Sequence, residues 1–257
     1  MKANNLKVLF TFLLMGTIQA NVPWSVIEKN YKKERGNLKA LSHLKCFYNN
    51  FSHKNISLDN ENKNAPYSRC KNLDPVRLDD QRYFSVIDYN SPSSKRRMFL
   101  VDTESGRVKS MGVAHGRYRS GYFRMFTRPF KNSVRWAKYF SNKPGSRASS
   151  TGFFLAGQEY HGKFGRSLVL HGLEPDINDN ACRRAVVIHK HFLVTKRRAY
   201  VMSSGCPMVS RSNINPVINA LKGKQNGMLL EEAGGLVFIY GKREKNWSYG
   251  DCPIELN

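Results

Sequence analysis

The pattern of apolar and polar positions divides the chain into a helical start and a strand-rich remainder. The segment WSVIEKNYKKERGNLKALSHLKCFYNN places Val26, Leu38, Leu41 and Leu44 at loosely helical spacing. The polar stretch HKNISLDNENKNAPYSRCKN that follows is typical of a loop. We therefore predict an N-terminal accessory segment of helix and loop over residues 21–75.

Short apolar runs separated by turn residues begin at residue 82. They are YFSVIDYN, the strand–turn–strand pattern RRMFLVDTESGRVKSMGVAHG, STGFFLAG, RSLVLHGL, RAVVIHKHFLV, AYVMS and GGLVFIYG. Their β-branched and aromatic residues favour strands, and PVINALKG is predicted as a short helix. A parallel α/β sheet would need more helices, so the pattern predicts a mainly β sandwich or barrel over residues 76–245. Residues 246–257 form a C-terminal tail.

The first 20 residues have the pattern of a secretory signal. Lys2 and Lys7 form a basic start, residues 8–15 are apolar, and Ala20 suits a cleavage site. The apolar run is shorter than a bilayer span requires. We therefore predict a signal peptide over residues 1–20 and an exported protein of the periplasm or cell envelope. An uncleaved anchor is the alternative.

The composition combines enough apolar residues for a core with a large positive charge. Hydrophobic residues make up 40% of the chain, and a mean hydropathy of −0.52 excludes a multi-span membrane protein. The formal net charge of +23 favours polyanions. A nucleic-acid-binding function conflicts with the predicted export, and the sequence contains no recognised base-reading motif. We expect carboxylate-rich cell-wall peptides and peripheral contact with an anionic envelope; a generally basic, solvated surface is the alternative.

The five cysteines are an odd number, so in an oxidising compartment at least one lacks an intramolecular partner. Cys46 and Cys70 flank a polar loop and form the most natural disulfide pair. Cys182 with Cys252 is a weaker pairing. The count alone does not identify the free thiol.

The stretch YVMSSGCPMVS places Cys206 in a turn of small residues. Gly205 allows unusual backbone angles, so the N–H groups of Gly205 and Cys206 could converge on an oxyanion. Ser203 and Ser204 add hydroxyl groups. A thiol in this setting becomes a nucleophile only with a nearby base or positive field. A buried cysteine in an ordinary turn is the alternative.

The run RAVVIHKHFLV supplies two candidate bases upstream, His189 and His191. Residues two apart in a strand share a face, so both imidazoles could point toward the thiol. The sequence leaves open which of them is the base. Histidines satisfied in the core or on the surface are one alternative. A zinc site is another, but no convincing third ligand accompanies the pair, and we expect neither metal nor cofactor.

Taken together, these residues resemble the murein L,D-transpeptidase catalytic-domain family (YkuD-like), in the branch whose nucleophile turn is Gly-Cys-Pro. His189 precedes Cys206 by 17 positions, as the family spacing requires. The stretches VAHGR, FSNKPGSRASSTGFFLAGQEYHGKFGRSLVLHGLE and NDNACRRAVVIH match in order over about residues 83–240. Three positions depart from the family. Ser204 replaces a histidine of the wider family, Lys190 replaces a glycine of the branch, and no arginine follows Cys206.

The resemblance implies an L,D-transpeptidase-like β-sandwich that acts on peptidoglycan tetrapeptide stems. Cys206 would attack the third residue of the stem, release D-alanine and pass the acyl group to an amine. His189 would be the base, the backbone carbonyl of Lys190 would orient it, and Gly205 and Cys206 would supply oxyanion N–H groups. An L,D-carboxypeptidase and a catalytically inactive wall-binding protein are the alternatives.

The resemblance also suggests residues that bind the substrate. Arg184 matches a family arginine and could hold a stem carboxylate, although a structural ion pair is equally open. His171 and His115 match branch positions, with a structural role in a turn as the alternative. Ser203 and Ser204 complete the predicted binding set. We expect a monomer.

Overall fold

The computed structural model describes residues 22–51, 53–56, 70, 81–119, 130–232 and 234–241. The predicted signal peptide and the predicted C-terminal tail lie outside these residues. Within the described part of the chain, no helix combines the length and apolar character needed to cross a bilayer.

Two helices precede the strands, as predicted. Helix α1 spans Trp24–Lys33 and helix α2 spans Leu38–Phe51. The apolar face differs from the predicted one. Ile27 is 2% exposed, whereas Val26 and Leu38 are 38% and 37% exposed. The spacing of apolar residues therefore predicted the two helices but not which face of each helix packs against the core.

In the described part of the chain, the remaining elements are ten strands and one helix. The strands are β1 (Tyr83–Asp88), β2 (Met98–Asp102), β3 (Val108–Met111), β4 (Gly152–Gly162), β5 (Gly165–Gly172), β6 (Val187–Lys190), β7 (Met208–Val209), β8 (Lys224–Asn226), β9 (Leu229–Glu232) and β10 (Leu236–Tyr240). Helix α3 spans Ile214–Leu221. The predicted mainly β class, with a few short helices and an N-terminal helical extension, is confirmed.

Eight of these strands form one mixed sheet in the order β3-β2-β1-β10-β4-β5-β6-β7, and β8 pairs with β9 separately. The β1–β10 and β6–β7 pairs are parallel, and the other pairs are antiparallel. The short strands β6 and β7 therefore lie together at one edge of the sheet.

Alternate residues of the strands face two apolar layers, as the two-residue period requires. Phe84 and Phe238 belong to the layer covered by α1 and α2. In that layer Phe47 stacks on Phe153 with ring centroids 4.3 Å apart. Val237 belongs to the opposite layer, which α3 covers. The N-terminal helices thus complete the core of the sheet, while the domain boundary at residue 75 stays a prediction.

Two strand predictions are wrong in extent. The run RAVVIHKHFLV is a strand only as far as Lys190, because the chain then turns with the Val194 N–H donating to the His191 carbonyl. Phe192 is 65% exposed on that turn. AYVMS forms no named strand, and Ala199 makes only an isolated bridge to Val194. The pair β8–β9 was not predicted, since its residues show no strand pattern.

The predicted Cys46–Cys70 disulfide is wrong, and so is the weaker Cys182–Cys252 alternative. Cys70 is bonded to Cys182, with Cα atoms 5.9 Å apart across 112 positions of sequence. Cys46 is disulfide-bonded to another cysteine. Proximity in sequence misled the prediction, because sheet formation brings Cys182 to Cys70. Among the described cysteines, Cys206 has the free thiol.

This pairing predicts the outcome of peptide mapping without reductant. Iodoacetamide should label Cys206, and a Cys70–Cys182 cross-linked peptide should be recovered. The double variant Cys70→Ser, Cys182→Ser should lose about 2–5 kcal/mol of unfolding free energy, since the bridge closes a long loop. Recovery of a Cys46–Cys70 peptide would contradict the fold described above.

Candidate active site

The thiol of Cys206 and the imidazole of His189 are placed by the parallel pairing of β6 and β7. His189 lies opposite Met208, and the His189 N–H donates to the Pro207 carbonyl at 3.3 Å. Cys206 lies two residues before Met208, just outside β7. Its sulfur accepts the N–H of Val187, which lies two residues before His189 in β6, so the segment that carries Cys206 runs beside the one that carries His189.

The sulfur of Cys206 lies among main-chain groups and positive charges. The Val187 N–H donates to it, and the thiol lies 3.5 Å from the Ala185 carbonyl oxygen. Burial raises the pKa of Cys206, while the Val187 hydrogen bond and the charges of Arg184 and Lys163 lower it, with burial dominant. The resting group is therefore a thiol that needs a base.

His189 is the candidate for that base. It is 2% exposed, and its Nδ1 lies 3.0 Å from the Lys190 carbonyl oxygen. A carbonyl only accepts hydrogen bonds, so Nδ1 carries the proton and Nε2 keeps a lone pair. Burial lowers the pKa of His189, which keeps the ring neutral. Phe164 stacks on the ring with centroids 4.1 Å apart and restricts its rotation.

His191 is used differently. Its Nδ1 accepts the Leu193 N–H at 3.2 Å, and its ring stacks on Phe192 at 4.8 Å. Strand β6 ends one residue earlier, so His191 does not continue the face that carries His189. Of the two candidate bases, the structure places His189 beside the nucleophile turn (residues 203–207).

The oxyanion donors differ in availability. The Gly205 N–H donates to the Ser203 hydroxyl at 3.0 Å, and the Ser149 hydroxyl donates to the Gly205 carbonyl at 3.1 Å. Within the described ranges the Cys206 N–H has no hydrogen-bond acceptor. The Cys206 N–H is thus available as it stands, whereas Gly205 would have to give up its bond to Ser203.

Neighbouring segments hold the nucleophile turn from the side. The Ser203 N–H donates to the His115 carbonyl at 2.8 Å, and the Arg117 N–H donates to the Ser203 carbonyl at 3.0 Å. The Ser149 hydroxyl accepts the Gly116 N–H at 2.9 Å. The turn is therefore fixed before any substrate arrives, which favours preorganised catalysis.

Arg184 holds the loop of residues 141–150 against this turn. Its two Nη atoms donate to the Ser141 carbonyl, the Ser150 hydroxyl, the Ser146 hydroxyl and the Ala148 carbonyl. Burial lowers the pKa of Arg184 to about 10, so it remains charged at neutral pH. These bonds use most of the N–H donors of Arg184 within the protein, which leaves few for a stem carboxylate. Its positive charge also lowers the pKa of Cys206.

The predicted binding residues His115 and His171 are fully buried. The ring of His115 lies 2.7 Å from Arg97 and 3.0 Å from the Ser133 carbonyl, and burial lowers its pKa to about 3. His171 lies 3.3 Å from the Gln158 side chain in the sheet. Neither ring therefore has an atom at the surface of the site. His115 supports the nucleophile turn through its carbonyl.

The sequence did not single out Lys163, Phe164 or Arg117. Lys163 and Phe164 form the tip of the β4–β5 hairpin, and Arg117 contacts the nucleophile turn. The stretches HGKFGR and VAHGR contain them, but nothing in their spacing relates them to Cys206. No group of three or more His, Cys, Asp or Glu side chains suited to a metal occurs in the parts of the chain described.

The model of the L,D-transpeptidase catalytic domain family matches residues 56–229. The chain belongs to the L,D-transpeptidase catalytic domain family. The L,D-transpeptidase-like fold expected from the resemblance is therefore confirmed.

Solved structures similar to this L,D-transpeptidase domain are remote. An L,D-transpeptidase from Mycobacterium smegmatis has a TM-score of 0.35 at 10% identity, over 62% of this chain and 59% of that one. The helical cell shape determining protein Pgp2 from Campylobacter jejuni has a TM-score of 0.38 at 11% identity, over 66% and 51%. This chain thus spans less than two thirds of either structure. No curated protein matches it.

The backbone at Gly205 provides one test of the turn in this L,D-transpeptidase domain. Gly205 has φ +125°, and an added Cβ would lie 2.8 Å from the Ala148 carbonyl oxygen. Gly205→Ala should cost about 1–3 kcal/mol through backbone strain and displace the thiol. We expect a lower melting temperature and slower alkylation of Cys206. Gly145→Ala is the control, since it has φ +76° and no atom within 4 Å; equal loss of Cys206 reactivity in both variants would contradict this account.

The raised pKa of Cys206 and the lowered pKa of His189 predict a neutral resting pair. Alkylation of Cys206 by iodoacetamide depends on thiolate, so its rate should still rise with pH above about 8.5. In a mechanism where His189 is the general base, acylation uses its neutral ring and should persist below about pH 6.5. Stopped-flow rates across this range measure both. A preformed thiolate–imidazolium pair would instead give rapid alkylation that is flat from acidic pH upward.

Proposed function

We propose that this chain is an exported L,D-transpeptidase in which Cys206 forms a thioacyl-enzyme with peptidoglycan tetrapeptide stems. One observation carries the proposal most directly. The free, half-buried thiol of Cys206 accepts the N–H of Val187, which lies two residues before His189, and Nδ1 of His189 is bound to the Lys190 carbonyl. Membership of the family supplies the class of substrate.

In the proposed acylation, Nε2 of His189 takes the thiol proton while the sulfur bonds to the carbonyl carbon of the third stem residue. The Cys206 N–H, with Gly205 if its bond to Ser203 is released, stabilises the tetrahedral oxygen. The C–N bond then breaks, and His189 returns its proton to the departing D-alanine amine.

In the second step an acceptor amine attacks the thioester, loses a proton to His189 and releases the thiol. A cross-link or an amine conjugate forms. Water in place of the amine would give a trimmed tripeptide, the carboxypeptidase outcome. The acylation machinery is the same for both.

The departures from the family pattern are compatible with activity. The contact that orients His189 uses the main-chain carbonyl of Lys190, which is present whatever the side chain is. Ser204 is exposed and lies outside the Cys206–His189 pair. These two positions therefore do not by themselves support an inactive wall-binding protein.

The proposed location is the periplasm or cell envelope. The signal-like sequence of residues 1–20 supports it, and the Cys70–Cys182 disulfide is typical of an oxidising compartment. The formal charge of +23 suits a wall rich in free carboxylates.

Intact-mass spectrometry of the purified protein with a disaccharide-tetrapeptide tests the function. Wild type should gain the mass of the stem less D-alanine, and Cys206→Ser should gain none. His189→Ala should acylate about 10²–10⁴-fold more slowly, because the general base is lost. His191→Ala is the matched control and should behave like wild type.

Muropeptide analysis of the same reactions separates the second steps. New dimers linked between third residues indicate transpeptidation, and tripeptides indicate carboxypeptidation. If wild-type Cys206 forms no adduct although its thiol is shown to be free, both the transpeptidase and the carboxypeptidase forms of the proposal are contradicted.

A further inference from the structure

The side chain of Arg117 lies across the nucleophile turn. Its Nε–H donates to the Ser203 carbonyl and its Nη2 donates to the Ser204 hydroxyl, both at 3.1 Å. Its guanidinium lies 5.1 Å from the centre of the Phe130 ring. Two of the five N–H donors of a guanidinium are therefore used by the turn, and the rest are available to a ligand.

The surroundings of Arg117 are strongly cationic. Burial and the charges of Arg147 and Arg119 lower its pKa, and it is half-buried beside the exposed Ser204. None of the ion pairs formed within the described residues includes Arg117 or Arg147. Arg117 and Arg147 are thus like charges held close together with no carboxylate partner among the described residues, an arrangement that an anionic ligand stabilises.

These arginines are held in place by the main chain. The Tyr118 N–H donates to the Arg147 carbonyl at 3.2 Å, and the Arg119 N–H donates to the Ser146 carbonyl at 2.8 Å. The segments that carry Arg117 and Arg147 are thus joined directly, next to the residues that precede Cys206. The cationic group is part of the rigid frame of the site.

The other arginine at the site is not free for this purpose. The Nη atoms of Arg184 donate their hydrogen bonds to the loop of residues 141–150. Among the arginines that contact this turn, Arg117 is therefore the one with guanidinium donors left for an anion, and the charge of Lys163, which acts on Cys206, adds a second cation nearby. A planar guanidinium suits a carboxylate through paired hydrogen bonds.

We propose that Arg117 is the specificity-determining residue that binds a carboxylate of the donor stem beside the Cys206 nucleophile. This inference rests on the proposed function. Ser204 orients the guanidinium by accepting one of its hydrogen bonds, and its small side chain leaves the remaining donors open. The carboxylate belongs either to the terminal D-alanine or to the side chain of the diamino acid.

The test compares acylation rates of three synthetic tetrapeptides by intact mass: one with all carboxylates free, one amidated at the terminal D-alanine and one amidated at the diamino-acid side chain. Arg117→Ala should lose about tenfold or more in the second-order acylation rate with the free stem. Arg117→Lys should recover part of it. Arg197→Ala removes an exposed positive charge on another loop and should leave the rate unchanged.

The amidated stems identify the carboxylate and exclude a merely structural role. With the stem amidated at the recognised carboxylate, wild type and Arg117→Ala should acylate at nearly equal rates. If Arg117 only supported the turn, all three stems would lose the same factor, and that result would overturn the inference. An equal rate of Arg117→Ala and wild type with the free stem would also overturn it, while leaving the thioacyl mechanism intact. Failure of wild type to acylate with any stem would instead overturn the proposed function, and this inference with it.

Discussion

The hydrogen bond between Nδ1 of His189 and the carbonyl of Lys190 determines the chemistry available at this site. It fixes which ring nitrogen carries the proton and leaves Nε2 as the acceptor. Burial keeps the ring neutral, and the stack with Phe164 limits its rotation. A thiol whose pKa is raised by burial requires such a partner, because the positive charges nearby do not ionise it alone.

The rest of the molecule holds this pair in register. The parallel pairing of β6 and β7 brings the turn that carries Cys206 beside β6, where the Val187 N–H donates to its sulfur, and the helices cover the two faces of the sheet. Arg184 and the Ser149 hydroxyl tie the loop of residues 141–150 to the same turn. A small β7 of two residues is sufficient because main-chain bonds from His115 and Arg117 support its approach.

Sequence reasoning could predict what depends on local pattern. Alternation identified most of the strands, and the Gly205–Cys206–Pro207 turn with His189 upstream gave the candidate pair, whose segments the structure brings together through the β6–β7 pairing. It could not predict the Cys70–Cys182 bridge, the contact of Arg117 with Ser204, or the stack of Phe164 on His189, because each joins segments far apart in sequence.

The same limit applies to the histidines of the site. His115 and His171 match family positions, but their complete burial depends on how the strands pack, which the sequence does not show. His189 and His191 looked equivalent by spacing, and only the end of β6 at Lys190 separated them. The Gly205 N–H was expected to be open, but the Ser203 hydroxyl, two residues away, accepts its bond.

Nitrogen-15 NMR of His189 at neutral pH tests the central claim most directly. Selective labelling of histidine, with His189→Gln to assign the signal, reports both the charge and the tautomer of the ring. The account predicts a neutral imidazole protonated at Nδ1. A protonated imidazolium at pH 7, or a neutral ring with its proton on Nε2, would contradict it.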